Sequence, residues 1–147
     1  MEKIMILGIV LFVSLLTHTT ANTNSLTVTV KDLQNSEGTA IFALYNKEGT
    51  IPDEKFGSYF KKGKVKLKDK FAQFTFDNLP SGRYAVVVLH DENNNDKLDK
   101  KFMLPIPNEG IGFSNYEDFG IGNRPNFTNA SFLLNNDLTI DIKVIYK

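Results

Sequence analysis

The chain has 147 residues, enough for one domain with a real core and too few for two of ordinary size. Seventeen Lys and Arg balance seventeen Asp and Glu, so no net field draws the protein to nucleic acid or a bilayer. With no cysteine, thiol nucleophiles, thiolate metal sites, disulfides and a lipid-modified N-terminal cysteine are excluded.

The N-terminus reads as a secretory signal. Lys3 supplies a short positive region, Ile4 to Leu16 an apolar run, and Thr19-Thr20-Ala21 a small-residue cleavage site. The run is shorter than the roughly 20 residues of a membrane span, so residues 1–21 are expected to be removed rather than kept as an anchor. What remains, residues 22–147, is expected to be one domain in the periplasm or outside the cell, with no transmembrane helix after cleavage. His18 leaves with the signal, and His90 alone then rules out paired-histidine catalysis and a His-rich zinc site.

Period-two alternation dominates the rest. Leu26 to Val30 alternates, Gly38 to Tyr45 is a mostly apolar run of β-formers, Val65 and Leu67 alternate with lysines, and Phe71 to Phe76 alternates again. Tyr84 to Leu89 is continuously apolar, as a central strand is, and Ala130 to Leu134 and Leu138 to Tyr146 complete the set. In the last of these, Leu138, Ile140, Ile142, Val144 and Tyr146 share one face. The pattern predicts an all-β fold, an antiparallel β-sandwich of about seven strands. Leu79-Pro80-Ser81-Gly82 is a turn whose setting, between an aromatic strand and Tyr84, resembles transthyretin-like and carboxypeptidase-regulatory-like domains; an immunoglobulin-like sandwich is the other candidate.

The lysines at 61, 62, 64, 66, 68 and 70 form a basic stripe. It reads as a solvated edge strand that resists sheet-to-sheet pairing, the alternative being contact with an anionic polymer or lipid surface. From His90 to Phe127 no strand is evident, yet the segment carries Phe102, Phe113, Tyr116, Phe119 and Phe127. So many apolar anchors predict one long ordered loop, folded back over an end of the sandwich.

Within it, Asp91, Asn93, Asn95 and Asp99 fall at positions 1, 3, 5 and 9 of a calcium loop, with Lys97 offering its carbonyl at position 7. Position 6 is Asp96 rather than Gly, and position 12 is Phe102 rather than a bidentate Glu, so a further carboxylate would come from Glu92 or Glu109. The competing reading is an Asx-rich turn in which these side chains cap their own backbone. His90, at the mouth of the loop, is either a titrating base or donor, or a structural hydrogen-bonding group.

The run from Leu79 to Phe132 resembles the secreted bacterial family of domain of unknown function 2141. The residues that carry the resemblance are Gly82-Arg83-Tyr84-Ala85, His90-Asp91-Glu92-Asn93-Asn94-Asn95, Ile106-Pro107-Asn108-Glu109, Gly112-Phe113-Ser114-Asn115, Pro125-Asn126-Phe127 and Ala130-Ser131-Phe132. Pro105 and Asp96 stand where the family usually has Gly. The resemblance implies fold and location, not an activity. The expected function is a non-catalytic binding or accessory module of the cell envelope, with a calcium-stabilised loop and His90, Glu109, Phe113, Ser114 and Asn115 at its recognition surface, its ligand or envelope partner unnamed. The rival is a small hydrolase using His90 with Asp91 or Glu109, and a third reading is a purely structural subunit.

Overall fold

In the computed structural model, which describes residues 23–100 and 107–147, the alternating segments pair into two sheets. The strands are β1 (Thr23–Val30), β2 (Thr39–Tyr45), β3 (Lys61–Lys66), β4 (Ala72–Pro80), β5 (Gly82–Asp91), β6 (Gly110–Phe113), β7 (Phe132–Leu134) and β8 (Leu138–Asp141); one helical turn, α1 (Phe127–Ala130), precedes β7. One sheet has the order β4-β1-β8 and the other β3-β2-β5-β6, with β7 on β5 as well. β6 covers Val87 to His90 of β5 and β7 covers Gly82 to Tyr84, so the two share one edge of that strand. The predicted all-β sandwich is what forms. The expected signal, and with it His18, lies outside the described residues, as do Phe102 and Pro105. Among the described residues no helix is long and apolar enough to cross a membrane.

Alternation decides what each strand buries. In β1, Leu26, Val28 and Val30 turn inward and Thr27 and Thr29 outward. They meet Phe42, Leu44, Val86 and Val88 from the other sheet to form the core between the layers. The opposite faces of β2 and β5 carry Ile41, Ala43, Tyr45, Ala85, Val87 and Leu89, which form a second cluster with Ile51, Phe56, Ile111, Phe113, Tyr116 and Phe127. Every residue of β2 is therefore buried. Each large apolar side chain so covered contributes about 1.5–3 kcal/mol relative to exposure. That return exists on the outer face only because loops cover it.

The structure differs from the sequence reading in four places. Among the described residues strands number eight rather than about seven, because Gly110–Phe113 is a strand inside the segment that showed none. It is four residues long and half glycine, so it carries neither a β-propensity signal nor an alternation. The long loop packs on the outer face of the five-stranded sheet rather than over an end. The last strand ends at Asp141 and runs parallel to β1, the exception in an otherwise antiparallel set. Beyond it the chain changes sheets: Ile142 N–H donates to Thr29 O at 2.8 Å, while Ile145 and Ile111 exchange backbone hydrogen bonds of 2.9 and 3.0 Å. The lysine stripe does lie on an edge, since β3 ends its sheet.

The crossing needs the two glycines of β6. A Cβ on Gly110 would lie 2.4 Å from the Tyr146 ring, and one on Gly112 would lie 2.4 Å from the Lys143 carbonyl oxygen. The Gly112 neighbour is backbone and has no rotamer to escape into. Gly112→Ala is therefore expected to lose at least the 1–3 kcal/mol or so of an overpacked core, read as a lower denaturant midpoint at unchanged slope. Gly120→Ala, where a Cβ meets nothing within 4 Å, is the control expected to leave the midpoint in place.

Candidate functional site

His90 and Asp91 end β5, and strand geometry sends neighbouring side chains to opposite faces. His90 points between the sheets and is fully buried. Its Nε2 lies 2.9 Å from the Glu37 carbonyl oxygen, which only accepts, so Nε2 carries the proton and donates. In the neutral ring Nδ1 is then an acceptor, and the Tyr146 hydroxyl donates to it at 2.6 Å. That hydroxyl accepts in turn from Gln34 N–H at 3.2 Å. Burial first, with the Glu92 charge adding, pushes the Tyr146 phenol up to about 12, so it keeps the proton it donates. Both ring nitrogens of His90 are thus committed, and the nearest carboxylate, Glu92 Oε1, is 3.7 Å from Nδ1.

Asp91 faces the other way and heads the polar loop. Its Oδ1 accepts from Asn95 N–H at 3.0 Å and its Oδ2 from Asp96 N–H at 3.0 Å. Asn93 Oδ1 also accepts from Asn95 N–H, and Asn95 Oδ1 accepts from Lys97 N–H at 2.9 Å. The amide groups of Asn93 and Asn95 both donate to Asp99 Oδ2, at 2.6 and 2.9 Å. Asn94 and Asp96 take left-handed φ values of 60° and 62°, which Asn and Asp tolerate better than most residues. The Lys64 ammonium reaches in from β3, 2.6 Å from Asp96 and 3.5 Å from Asp91, and its hydrogen bond holds the exposed Asp96 carboxyl below the usual range. Across the β2–β5 ladder from Asp91, the hydroxyl of Thr39 is buried with no partner among the described residues.

Glu109 closes the loop. Its two oxygens accept from Glu92 N–H and Asp99 N–H, each at 3.1 Å, tying together the ends of an eight-residue stretch. Burial, aided by the charges of Asp99 and Asp91, holds its carboxyl above the ordinary value against the pull of those two donors. A folded value above the unfolded one means that Glu109 supports folding most at low pH and less as pH rises through the raised value. Glu109 spends both oxygens on the loop's backbone. Among the described residues no metal-holding group of three or more His, Asp or Glu side chains is found, so an ion here would also have to draw on Asn and carbonyl oxygens.

Ser114 and Asn115 splice two strands onto one edge. Where β6 ends and β7 has yet to begin, Ser114 Oγ accepts from Val86 N–H at 2.9 Å and donates to Ala130 O at 2.6 Å. Asn115, at φ 61°, aims its amide at the carbonyls of Asn129, Ala130 and Ser131, 3.1–3.4 Å away, around the end of α1. Phe113 is buried in the outer cluster, with Phe119 edge-on at 5.3 Å between ring centres. Of the expected recognition residues, His90, Glu109, Phe113 and Ser114 are therefore buried, and only Asn115 is exposed. Sequence reasoning passed over Tyr146 and Lys64. Tyr146 was visible as the last member of the final strand's inward face, but its partner His90 is 56 residues away.

Beside Phe113 lies an open cavity of about 760 Å³ on the outer face of the five-stranded sheet. Val87, Ile111 and Phe113 form its floor, and Leu98, Phe119 and Ile121 are among its walls. Asp53, Glu54, Lys100, Arg124 and Lys147 also line it. His90 does not. Residues 28–141, from within β1 to the end of β8, match domain of unknown function 2141, described as an uncharacterized protein conserved in bacteria. The chain belongs to this family. No curated protein and no solved structure matches it. The motifs from Gly82 to Phe132 all fall inside the span matched to the family of domain of unknown function 2141, whereas Tyr146 falls beyond it.

Tyr146→Phe removes the donor to a buried imidazole nitrogen and is expected to cost about 1–3 kcal/mol, measured by chemical denaturation. A Tyr146→Phe variant as stable as the parent would show that Nδ1 finds another partner.

Proposed function

We propose that this family member is an exported, non-catalytic binding module whose ligand site is the open cavity on the outer face of the five-stranded sheet. Export is supported by the positive, apolar and small-residue order of residues 3–21. The single observation that carries the binding reading is the separation of chemistry from cavity. A hollow of about 760 Å³, within the roughly 300–1,000 Å³ usual for ligand pockets, is floored by apolar side chains, while His90, the one histidine among the described residues, is turned to the other face of β5 with both nitrogens engaged. A hydrolase built on His90 with Asp91 or Glu109 would need these groups to converge on one substrate atom. Asp91 lies across the strand from His90, and Glu109 holds backbone amides. With Nile red, a neutral apolar dye, we expect one saturable site per chain. Leu98→Glu and Phe119→Glu are expected to remove the signal while leaving a cooperative melt. An unsaturable signal, or one indifferent to both substitutions, would contradict the cavity as the ligand site.

A calcium ion on the Asp91–Asp99 loop is a second proposal. It is favoured by one observation: Asp91, Asn93, Asn95 and Asp99 turn their side chains into a single small loop. Lys97 would contribute only its carbonyl, and Lys64 already offsets part of the negative charge. Affinity is accordingly expected in the extracellular-module range, roughly 0.1–1 mM. Excess calcium should raise the melting temperature of the parent, Asp99→Ala should abolish the rise, and Lys64→Ala should enlarge it. A melting temperature equal in chelator and in calcium would leave the loop as a set of Asx turns.

A further inference from the structure

We propose that the ligand of the outer-face cavity is a free fatty acid, its apolar chain on the cavity floor and its carboxylate on Arg124; this rests on the reading of the cavity as a ligand site. Of the three rim cations, one has no ion pair among the described residues; the rim anion Asp53 has none either and is held by hydrogen bonds. Lys100 is paired with Glu54 at 2.6 Å, and Lys147 with Asp118 at 2.6 Å while also lying over the Phe119 ring, 5.4 Å from its centre. Asp53 accepts from Ser58 N–H at 2.7 Å and from the Tyr45 hydroxyl at 3.2 Å. Arg124 is exposed and makes no ion pair among the described residues. A guanidinium is a planar fork that fits a carboxylate with two parallel hydrogen bonds, and one such fork matches one negative charge rather than the two of a phosphomonoester.

The apolar half of the argument sits beside it. Gly120 and Asn123 exchange backbone hydrogen bonds of 3.2 Å, closing a tight turn that carries Ile121 at its tip. Ile121 is 107% exposed, as open to water as an unfolded residue, and it lines the mouth of the cavity three positions from Arg124. An isoleucine held in water next to an unpaired cation forms a boundary between apolar and charged surface, which is what the junction of an acyl chain and its carboxylate presents. Inside, Val87, Leu98, Ile111 and Phe113 offer the chain an apolar surface. Each methylene that leaves water there adds affinity in the manner of any buried apolar group.

The test uses the intact chain with Nile red bound, displaced by dodecanoate or dodecanol below their aggregation limits. Dodecanoate is expected to displace the dye at about tenfold lower concentration than dodecanol, the size of one charge-assisted contact. Arg124→Gln should erase that advantage without changing dodecanol, and Ile121→Ser should weaken both. Equal displacement by acid and alcohol, or an advantage that survives in Arg124→Gln, overturns the carboxylate assignment and leaves the cavity reading standing. Dye binding that neither compound displaces overturns it too, and absence of dye binding removes both readings. Binding to phosphatidylglycerol vesicles that Arg124→Gln abolishes and dodecanoate does not compete would transfer Arg124 to a bilayer surface and overturn the free-acid proposal.

Discussion

Strands β2 and β5 are apolar on both faces, and one facing sheet buries only one of them. The three-stranded sheet covers Phe42, Leu44, Val86 and Val88. Ile41, Tyr45, Val87 and Leu89 would be left in water without another layer. That layer comes from the loop after β2, the segment around β6 and the helical turn α1, which bring Ile51, Phe56, Phe113, Tyr116 and Phe127. A loop that covers a core must be ordered, and its buried backbone must be satisfied by something other than a ladder.

The polar motif residues meet that demand. Glu109 bonds the two ends of the Glu92–Asp99 stretch, Ser114 stands in for a strand partner of Val86, and Asn115 gathers three carbonyls at the end of α1. Asp91, Asn93 and Asn95 do the same for their own loop. The segment that looks richest in chemistry is therefore largely occupied in holding a cover in place. What the cover leaves open is the cavity, whose floor is sheet and whose walls are loop. Holding the cover and lining the cavity thus fall largely to different side chains of the same segment.

The parts of the fold that alternate were legible in the sequence. β1 and β4 read as half-buried strands, β2 as an apolar one, β5 as a central one, and the lysines of β3 as an edge. β6 was not legible, because Gly110 and Gly112 are there to admit another strand and carry no signal of their own. The parallel seat of β8 on β1 was hidden because strand direction leaves no mark on alternation. At the candidate site, Asp91, Asn93, Asn95 and Asp99 turn their side chains into one loop, where they hydrogen-bond one another and the loop's backbone. The expectation that His90 and Phe113 would share a recognition surface failed to allow for β5 sending His90 inward while β6 sends Phe113 outward. Arg124 and Ile121 gave no sequence signal, since an isolated cation and an isolated isoleucine in a glycine-rich turn are ordinary.

The parallel pairing of β8 with β1 bears on how the molecule assembles. Ser25 N–H donates to the Asp137 carboxylate across 112 residues of sequence, and the sheet change that follows brings Ile145 to β6 and Tyr146 to His90. Contacts so distant along the chain carry a large loop-closure entropy and form slowly. Until they form, β1 has one free edge and the inner side of β6 has no cover. The β2–β3 pair is local enough to assemble first, whereas β4 and β5, joined through Ser81, part into different sheets. A chain with that seam still open would expose the edge of β1 that the finished protein covers with β8.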